Sequence, residues 1–256
     1  MDQVPAIQIL GTRVHMVEIP DVLKVIDDWI QLDRQRFHFV VNTGMHGLME
    51  GHRDPEFKII LDSADLFAPD GILVLLVARL RGFALRKRET GPELLWRFSK
   101  TAAERGYKYF FYGDVEETLN LVSEKLLETY PGLAIVGAHS PPFRPLTAEE
   151  DRRIIDTINQ AAPDVLWVGL GAPKQERWIY EHREKLHVPV VIGIGASFKF
   201  LSGRVNRAPA WVRNGGFEWL WRFLKEPGRV WRRVLIDAPQ FVGLAALEMT
   251  GLKKYG

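Results

Sequence analysis

The chain is predicted to fold as a doubly wound α/β domain with a mostly parallel sheet, a small N-terminal β-hairpin and a helical C-terminal appendage. Three observations carry this. Short apolar, β-branched and aromatic runs alternate with segments of helical length through the middle of the sequence. Several of those runs are apolar throughout instead of alternating, as parallel strands buried on both faces are. The alternation stops near Gly203, where a basic, tryptophan-rich segment begins.

Taken in order, Ile7 to Leu10 and Arg13 to Val17 flank Gly11-Thr12 and read as the hairpin. Strands are predicted at Phe37 to Val41, Tyr107 to Tyr112, Leu133 to Val136, Val165 to Val168 and Val188 to Ile194. Helical patterns cover Asp21 to Leu32, Asp70 to Leu80, Gly91 to Arg105, Val115 to Thr129, Thr147 to Ala161 and Pro173 to Leu186. Thr147 and Glu150, just after Pro145, form a capping box that fixes one helix start. In the appendage Pro209 is placed to start a helix, Pro227-Gly228 to break one, and a frayed third is expected beyond Pro239. The domain boundary therefore falls between residues 1–203, the α/β body, and 204–256, the appendage.

The 256 residues are 46% apolar and 26% charged, the composition of a globular chain. The absence of cysteine excludes a disulfide framework, a cysteine-ligated zinc or iron–sulfur centre, and a thiol nucleophile. A reducing compartment fits. The net charge of +2 divides unevenly: Arg204 to Arg233 hold eight Lys and Arg against Glu218 and Glu226, so this window is +6 and the remainder −4. Trp211, Trp219, Trp221 and Trp231 fall in the same window. Interleaved cations and aromatics suit a polyanion or a phospholipid surface. At least two of these tryptophans are expected to pack between appendage and sheet. No signal peptide is expected at the N-terminus. The longest apolar stretches, Ile72 to Ala78 and Phe241 to Leu247, fall well short of the roughly 20 residues that span a bilayer. A peripheral membrane contact remains compatible with this.

In an open parallel sheet, ligands bind outside the carboxyl ends of the strands. The residues there are Asn42-Thr43-Gly44-Met45-His46, Gly113-Asp114, Gly137-Ala138-His139, Gly169 to Glu176 (with Gly171, Pro173, Lys174 and Gln175) and Gly193-Ile194-Gly195-Ala196-Ser197. Glycines let backbone amides approach a phosphate, although tight strand-to-helix turns use them equally. Neither the dinucleotide fingerprint nor a Walker loop occurs, and no acidic or histidine cluster has metal-ligand spacing. No cofactor and no metal is called for. Asp70 stands between Pro69 and Gly71 at the mouth of an apolar helix, where it either caps that helix or serves as a base. Arg88 reads as a solvated loop charge or as a phosphate clamp.

The ordered set Asn42, Pro69-Asp70-Gly71, Arg88-x-x-Gly91, Gly169-x-Gly-Ala-Pro-Lys-Gln-Glu176, Gly193-x-Gly195, Arg207-Ala-Pro209 and Glu218-Trp-Leu-Trp-Arg222 with Glu226-Pro-x-Arg229 resembles the WecG/TagA/CpsF glycosyltransferases. The resemblance runs from about residue 10 to 235. It implies a Rossmann-like, metal-independent, inverting transferase. Such an enzyme moves N-acetylmannosamine, its uronic acid or another hexose from a UDP donor to a polyprenyl-diphosphate-linked sugar, in cell-envelope polysaccharide biosynthesis. It further implies a place at the cytoplasmic membrane face. By the same resemblance Asp70 is the base, Asn42 and Gln175 hold the sugar or its leaving phosphate, and Arg88 steadies phosphate charge. Arg222, Arg229 and Arg233, seven and four apart, would meet a diphosphate from near one helical face if the break at Pro227 is mild. Three departures bear on the donor: Val40 where the family has threonine, Lys199 where it has aspartate, and Ser140-Pro-Pro-Phe143 after the third strand. Thr43 is placed to replace the hydroxyl lost at Val40.

Two other readings stand beside this one. An oxidoreductase on the same sheet lacks its fingerprint. A nucleic-acid binder using the Arg/Trp segment would leave the strand-end glycines without a purpose, so nucleic acid is not expected as a partner. A homo-oligomer stays open.

Overall fold

The structure is a computed structural model that describes residues 4–85, 90–205, 208–209, 211–212 and 215–255, with Arg222 and Arg229 described by backbone alone. A hairpin of β1 (Ala6–Ile9) and β2 (Thr12–His15) precedes the main sheet. The sheet contains β3 (His38–Thr43), β4 (Leu66–Pro69), β5 (Lys108–Gly113), β6 (Ala134–His139), β7 (Val165–Gly169) and β8 (Val190–Gly193). These lie in the order β4-β3-β8-β7-β5-β6, with every pair parallel.

Strand side chains alternate between two apolar layers, as the period of two demands. Phe39, Val41, Phe110, Tyr112, Leu166, Val168 and Val191 face one layer, and Val40, Tyr109, Phe111, Val165, Trp167, Val190 and Ile192 face the other. The first layer is closed by α2 (Met45–Arg53), α3 (Pro55–Asp62), α4 (Ile72–Leu80), α7 (Ala148–Ala161) and α8 (Lys174–His182). The second is closed by α1 (Ile19–Leu32), α5 (Gly91–Arg105), α6 (Glu116–Thr129) and α9 (Ser197–Ser202). Helices on both faces of a parallel sheet make the fold Rossmann-like and doubly wound. The capping box holds as written: Thr147 Oγ1 accepts from the Glu150 amide at 3.2 Å, and Glu150 accepts from the Thr147 amide at 2.9 Å.

Three elements depart from the sequence reading. Leu66–Pro69 is a strand, not a lead-in to the next helix; at the sheet edge only one side needs ladder partners, so its proline is tolerated. Met45–Arg53 and Pro55–Asp62 are helices where none is predicted, because Gly47, Gly51 and Pro55 blur the period. Asp54 caps the second of them, accepting from the amides of Glu56 and Phe57 at 3.0 and 3.2 Å.

The C-terminal segment forms α10 (Glu218–Lys225), α11 (Pro227–Arg232), a π-helical turn (Arg233–Asp237) and α12 (Ala238–Met249). The helix expected to start at Pro209 lies largely outside the described residues. The break at Pro227 is sharp, since Glu226 leaves helical geometry at φ −134° and Pro227 opens a new helix, so Arg222 does not share one helical face with Arg229 and Arg233 as the spacing suggests. Nor is the last helix frayed. Phe241 and Ala245 are buried in the same apolar layer as Ile9 and Leu10, and Glu248 accepts from the Leu10 and Gly11 amides at 3.1 and 3.3 Å while pairing with Arg81 at 2.8 Å. The tryptophans also depart from expectation: Trp211, Trp219 and Trp231 are exposed and Trp221 is half-buried.

The hairpin shields the free edge of β4, which would otherwise offer unpaired backbone groups. There the Phe67 amide donates to Nδ1 of buried His15 at 3.0 Å. Burial, helped by the nearby Arg13 charge, lowers the His15 pKa to about 4. A histidine held neutral in the fold stabilises it above the unfolded pKa of about 6.5 and ceases to do so as pH falls through 4. Stability is therefore expected to drop by about 3 kcal/mol between those limits on account of this group. In His15→Asn, which keeps an acceptor but cannot titrate, urea unfolding followed across that range should show a correspondingly shallower loss. An identical pH slope in the variant would refute the assignment.

Candidate active site

Adjacent strands β7 and β8 send the chain to opposite faces: β7 leads to α8 in the first layer and β8 to α9 in the second. The sheet opens into a crevice where two such connections part. Most of the residues singled out from the sequence lie around this carboxyl edge.

On the β3–β4 side, Asn42 and Thr43 end β3 and pair in register with Ala68 and Pro69. Asp70 follows directly, its amide donating to the Thr43 carbonyl at 2.9 Å. The cap position of α4 is Gly71, with no side-chain cap, so the local reading of Asp70 as a helix cap is not what the backbone provides. Gly71 has φ +103° and ψ 150°, a conformation open essentially only to glycine, and it turns the chain so that Asp70 stays outside the helix. Gly44 lies against the same residue: a Cβ there would be 2.9 Å from the Asp70 carbonyl carbon and closer still to its oxygen. Asn42 is buried, donates to the Ala68 carbonyl at 3.4 Å, and faces Gly91 at the start of α5. Gly91 in turn abuts Ser197 and Ile194, whose carbonyl would be 2.9 Å from a Cβ. Thr43 is buried beneath α2, where a Cβ on Gly47 would lie 2.6 Å from its hydroxyl oxygen.

On the β5–β7–β8 side the strand-end glycines pack backbone on backbone. A Cβ on Gly113, at φ +128°, would lie 2.6 Å from the Gly169 carbonyl. One on Gly169 would meet the Phe198 ring at 2.5 Å and the Gly195 carbonyl at 3.3 Å. Gly171 and Gly195 differ: both have positive φ, +83° and +57°, and a side chain on either would enter open space. Those two turns present backbone to the crevice.

Between them stands the motif that opens α8. Pro173 occupies its cap position after a cis Ala172–Pro173 peptide, and Lys174 is exposed on the first turn. Gln175 is 1% exposed and Glu176 0%. The Gln175 carboxamide oxygen accepts from the Gly171 amide at 3.2 Å and the Gly195 amide at 2.8 Å, and its nitrogen donates to Glu176 Oε1 at 2.8 Å. Gly193 lies beneath the carboxamide, and a Cβ there would be 2.8 Å from its nitrogen. Burial pushes the Glu176 carboxyl up to about 7, against the opposing hydrogen bonds from Gln175 and its own amide.

The arginines divide. Arg88 and Arg207 lie outside the described residues, as do the side chains of Arg222 and Arg229. Arg233 is half-buried beside His46 of α2, whose pKa falls to about 4 through burial first and the Arg233 charge second. Asp237 fixes this junction, pairing with Arg53 at 2.5 Å while Arg53 also donates to Gln240 at 2.8 Å. Neither Gly44 nor the His46–Arg53–Asp237 group is signalled as a set by the sequence, because their partners are 26 and 184 residues away in the chain. The one available cue for Gly44 is its place directly after a strand end. Among the described residues no group of His, Asp and Glu is arranged to hold a metal ion, and no helix is long and apolar enough to cross a membrane.

Comparison with known proteins meets this geometry from another direction. A model of the glycosyl transferase WecG/TagA/CpsF family matches residues 7–255. An N-acetylglucosaminyldiphosphoundecaprenol N-acetyl-beta-D-mannosaminyltransferase of Bacillus spizizenii is 33% identical over 82% of this chain and 79% of its own length. Proteins of the same description from Bacillus subtilis and Staphylococcus aureus are 32% and 29% identical, over 72% and 76% of this chain and 69% and 74% of theirs. This decides between a transferase, an oxidoreductase and a nucleic-acid binder in favour of the first. The chain belongs to the WecG/TagA/CpsF family and is a glycosyltransferase.

Proposed function

We propose that this enzyme transfers a sugar from a UDP donor to a polyprenyl-diphosphate-linked sugar, with inversion and without a metal, in cell-envelope polysaccharide synthesis. The observation that carries the reading is the seating of Asp70. It leaves the end of β4 beside Gly44 and Asn42, on the carboxyl edge that also holds the glycine-lined crevice. The Asp70 carboxylate takes the proton of the acceptor hydroxyl, whose oxygen attacks the anomeric carbon. The bond to the UDP oxygen breaks on the opposite face, and UDP departs with both electrons.

The departing diphosphate needs positive charge, and backbone amides with arginines are the means available. The Gly171 and Gly195 turns, whose own amides are taken by Gln175, line the crevice, and the α8 start with Lys174 brings positive charge to it. By position in the sequence, Arg88 in the α4–α5 connection and Arg207, Arg222, Arg229 and Arg233 in the appendage are the cations that would serve it. Asn42 is left on the sugar side, whereas Thr43 is buried beneath α2 and Gln175, 1% exposed, has its carboxamide taken up by Gly171, Gly195 and Glu176, so these two act through the backbone they hold. The names of the relatives favour N-acetylmannosamine as the sugar, while Val40 and Lys199 keep its uronic acid and other hexoses in play.

An acceptor on a polyprenyl chain places the reaction at a membrane, here the cytoplasmic face. α4 favours a membrane contact, being apolar except for Arg79 in its last turn and exposing Ile72, Leu76 and Leu80 (36, 49 and 64%) along one side. Gly216 abuts Ile72, which joins that stripe to exposed Phe217, Trp219, Leu220 and Leu224. The segment after α4 carries Arg86, Lys87 and Arg88 against Glu89, and each cation near an anionic leaflet contributes about 1 kcal/mol.

The test is a panel of UDP-sugars with polyprenyl-diphosphate-GlcNAc, offered in anionic vesicles or as a short-chain soluble analogue, with and without chelator. Transfer to the lipid-linked acceptor from one UDP-sugar, insensitive to chelator and faster in anionic than in neutral vesicles, is the expected result. Transfer only in the presence of a divalent cation would overturn the metal-independent mechanism.

A further inference from the structure

Glu176 is the least accessible carboxylate near the crevice, and nothing above gives it a use. It is fully buried, so no dissolved substrate reaches it without unfolding the start of α8. Among the described residues no cation pairs with it, and its Oε2 has no hydrogen-bond partner. A buried carboxyl in that condition is destabilising, and an apolar residue of similar size would suit the fold better. Its one partner of consequence is the side chain of Gln175.

That partner has an orientation problem. A carboxamide fits its site in two ways, with oxygen and nitrogen exchanged. Here the oxygen must face the Gly171 and Gly195 amides, at 3.2 and 2.8 Å, because the reversed amide would set donors against donors. Glu176 Oε1, 2.8 Å from the carboxamide nitrogen, holds the same orientation from the other end of the carboxamide. Gly193 leaves just enough room under that nitrogen for the arrangement to hold. The two amides so joined belong to the loops after β7 and β8, the loops that part to make the crevice.

We propose that Glu176 is a positioning residue: by orienting the Gln175 carboxamide it clasps the Gly171 and Gly195 loops and sets the gap into which the donor's diphosphate fits. The second half of this rests on the UDP-sugar reading given above. The first half does not, and the experiment separates them.

The variants are Glu176→Gln, which keeps an oxygen to accept from Gln175, and Glu176→Leu, which removes it. Gly193→Ala pushes the same carboxamide from the other side and supplies an independent check should the leucine variant fold poorly. Two quantities are read on the full-length protein: hydrogen exchange of the Gly171 and Gly195 amides without ligand, and UDP affinity by calorimetry. In Glu176→Leu and Gly193→Ala, exchange at both amides is expected to quicken at least tenfold and the UDP Kd to rise about tenfold. The melting temperature of Glu176→Leu should stay level or increase, while Glu176→Gln stays within twofold of the parent in both quantities. Unchanged exchange in Glu176→Leu and Gly193→Ala overturns the clasp. Faster exchange with UDP affinity unaltered overturns its link to the donor. Equal losses in the glutamine and leucine variants, in step with lower melting temperatures, would reduce Glu176 to a packing residue and overturn the proposal. Failure of the parent protein to bind UDP would count against the functional reading, leaving the exchange result to judge the clasp.

Discussion

Asp70→Asn is expected to abolish most turnover while leaving UDP-sugar binding unchanged or slightly tighter. The substitution preserves the shape of the side chain and removes only its ability to take a proton. A positioned general base contributes about 10²- to 10⁴-fold, or roughly 3–5 kcal/mol of barrier, so kcat should fall by that factor. Donor affinity should not fall with it, because the removed charge is of the same sign as the diphosphate and gives it no attraction. The contrast follows from where the backbone puts this residue. Gly71, not Asp70, occupies the cap position of α4. Measuring kcat under saturating donor and acceptor, with UDP-sugar Kd obtained separately, separates the two effects. Turnover within a few-fold of the parent would show that another group takes the proton. A parallel loss of affinity and melting temperature would show that Asp70 serves the fold.

The sheet was legible because its central strands are buried on both sides, so Tyr109 to Tyr112, Val165 to Val168 and Val190 to Ile192 present unbroken apolar runs. Leu66–Pro69 has the same character over four residues and ends in proline, a pattern that gains meaning only from its place at an edge covered by the hairpin. Gly47 and Gly51 look like helix breakers until the close approach of α2 to Thr43 and of α2 to Leu61 gives each a reason. The docking of α12 depends on Glu248 meeting amides some 238 residues earlier, which no local window contains.

The carboxyl-edge positions are legible as a set because chain topology alone brings strand ends together. What each does there is less so. Glycines at strand ends read either as phosphate loops or as tight turns, and the structure divides them: Gly113 and Gly169 pack against neighbouring backbone, while Gly171 and Gly195 face open space. The distinction depends on which neighbour lies within 3 Å, and sequence spacing carries no record of that. Gln175 illustrates the same point: its polar atoms face Gly171, Gly195 and Glu176, one of them 20 residues further along the chain.

The second large effect is expected from Gly44→Ala, a change of one methyl group. Its φ of −118° is open to any residue, so the cost is one of space and not of backbone strain. The new Cβ would lie 2.9 Å from the Asp70 carbonyl carbon and nearer its oxygen. Neither side can yield easily, because Asp70 is tied to Thr43 through its amide and the β3–β4 register holds the strands on which both residues stand. Overpacking of this kind costs about 1–3 kcal/mol of stability. A displacement of about 1 Å at a reacting group costs about 10²-fold in rate. Gly243→Ala is the matching control: exposed in the middle of α12 with nothing near a Cβ, it should gain about 0.5–1 kcal/mol through helix propensity and leave the rate alone. The decisive measurement is the double variant Gly44→Ala/Asp70→Asn. If the methyl group acts by moving the base, its rate penalty should largely vanish once the base is gone, so that the double variant turns over within about threefold of Asp70→Asn. A further hundredfold loss in the double variant would mean that Gly44 shapes the site by some route other than Asp70.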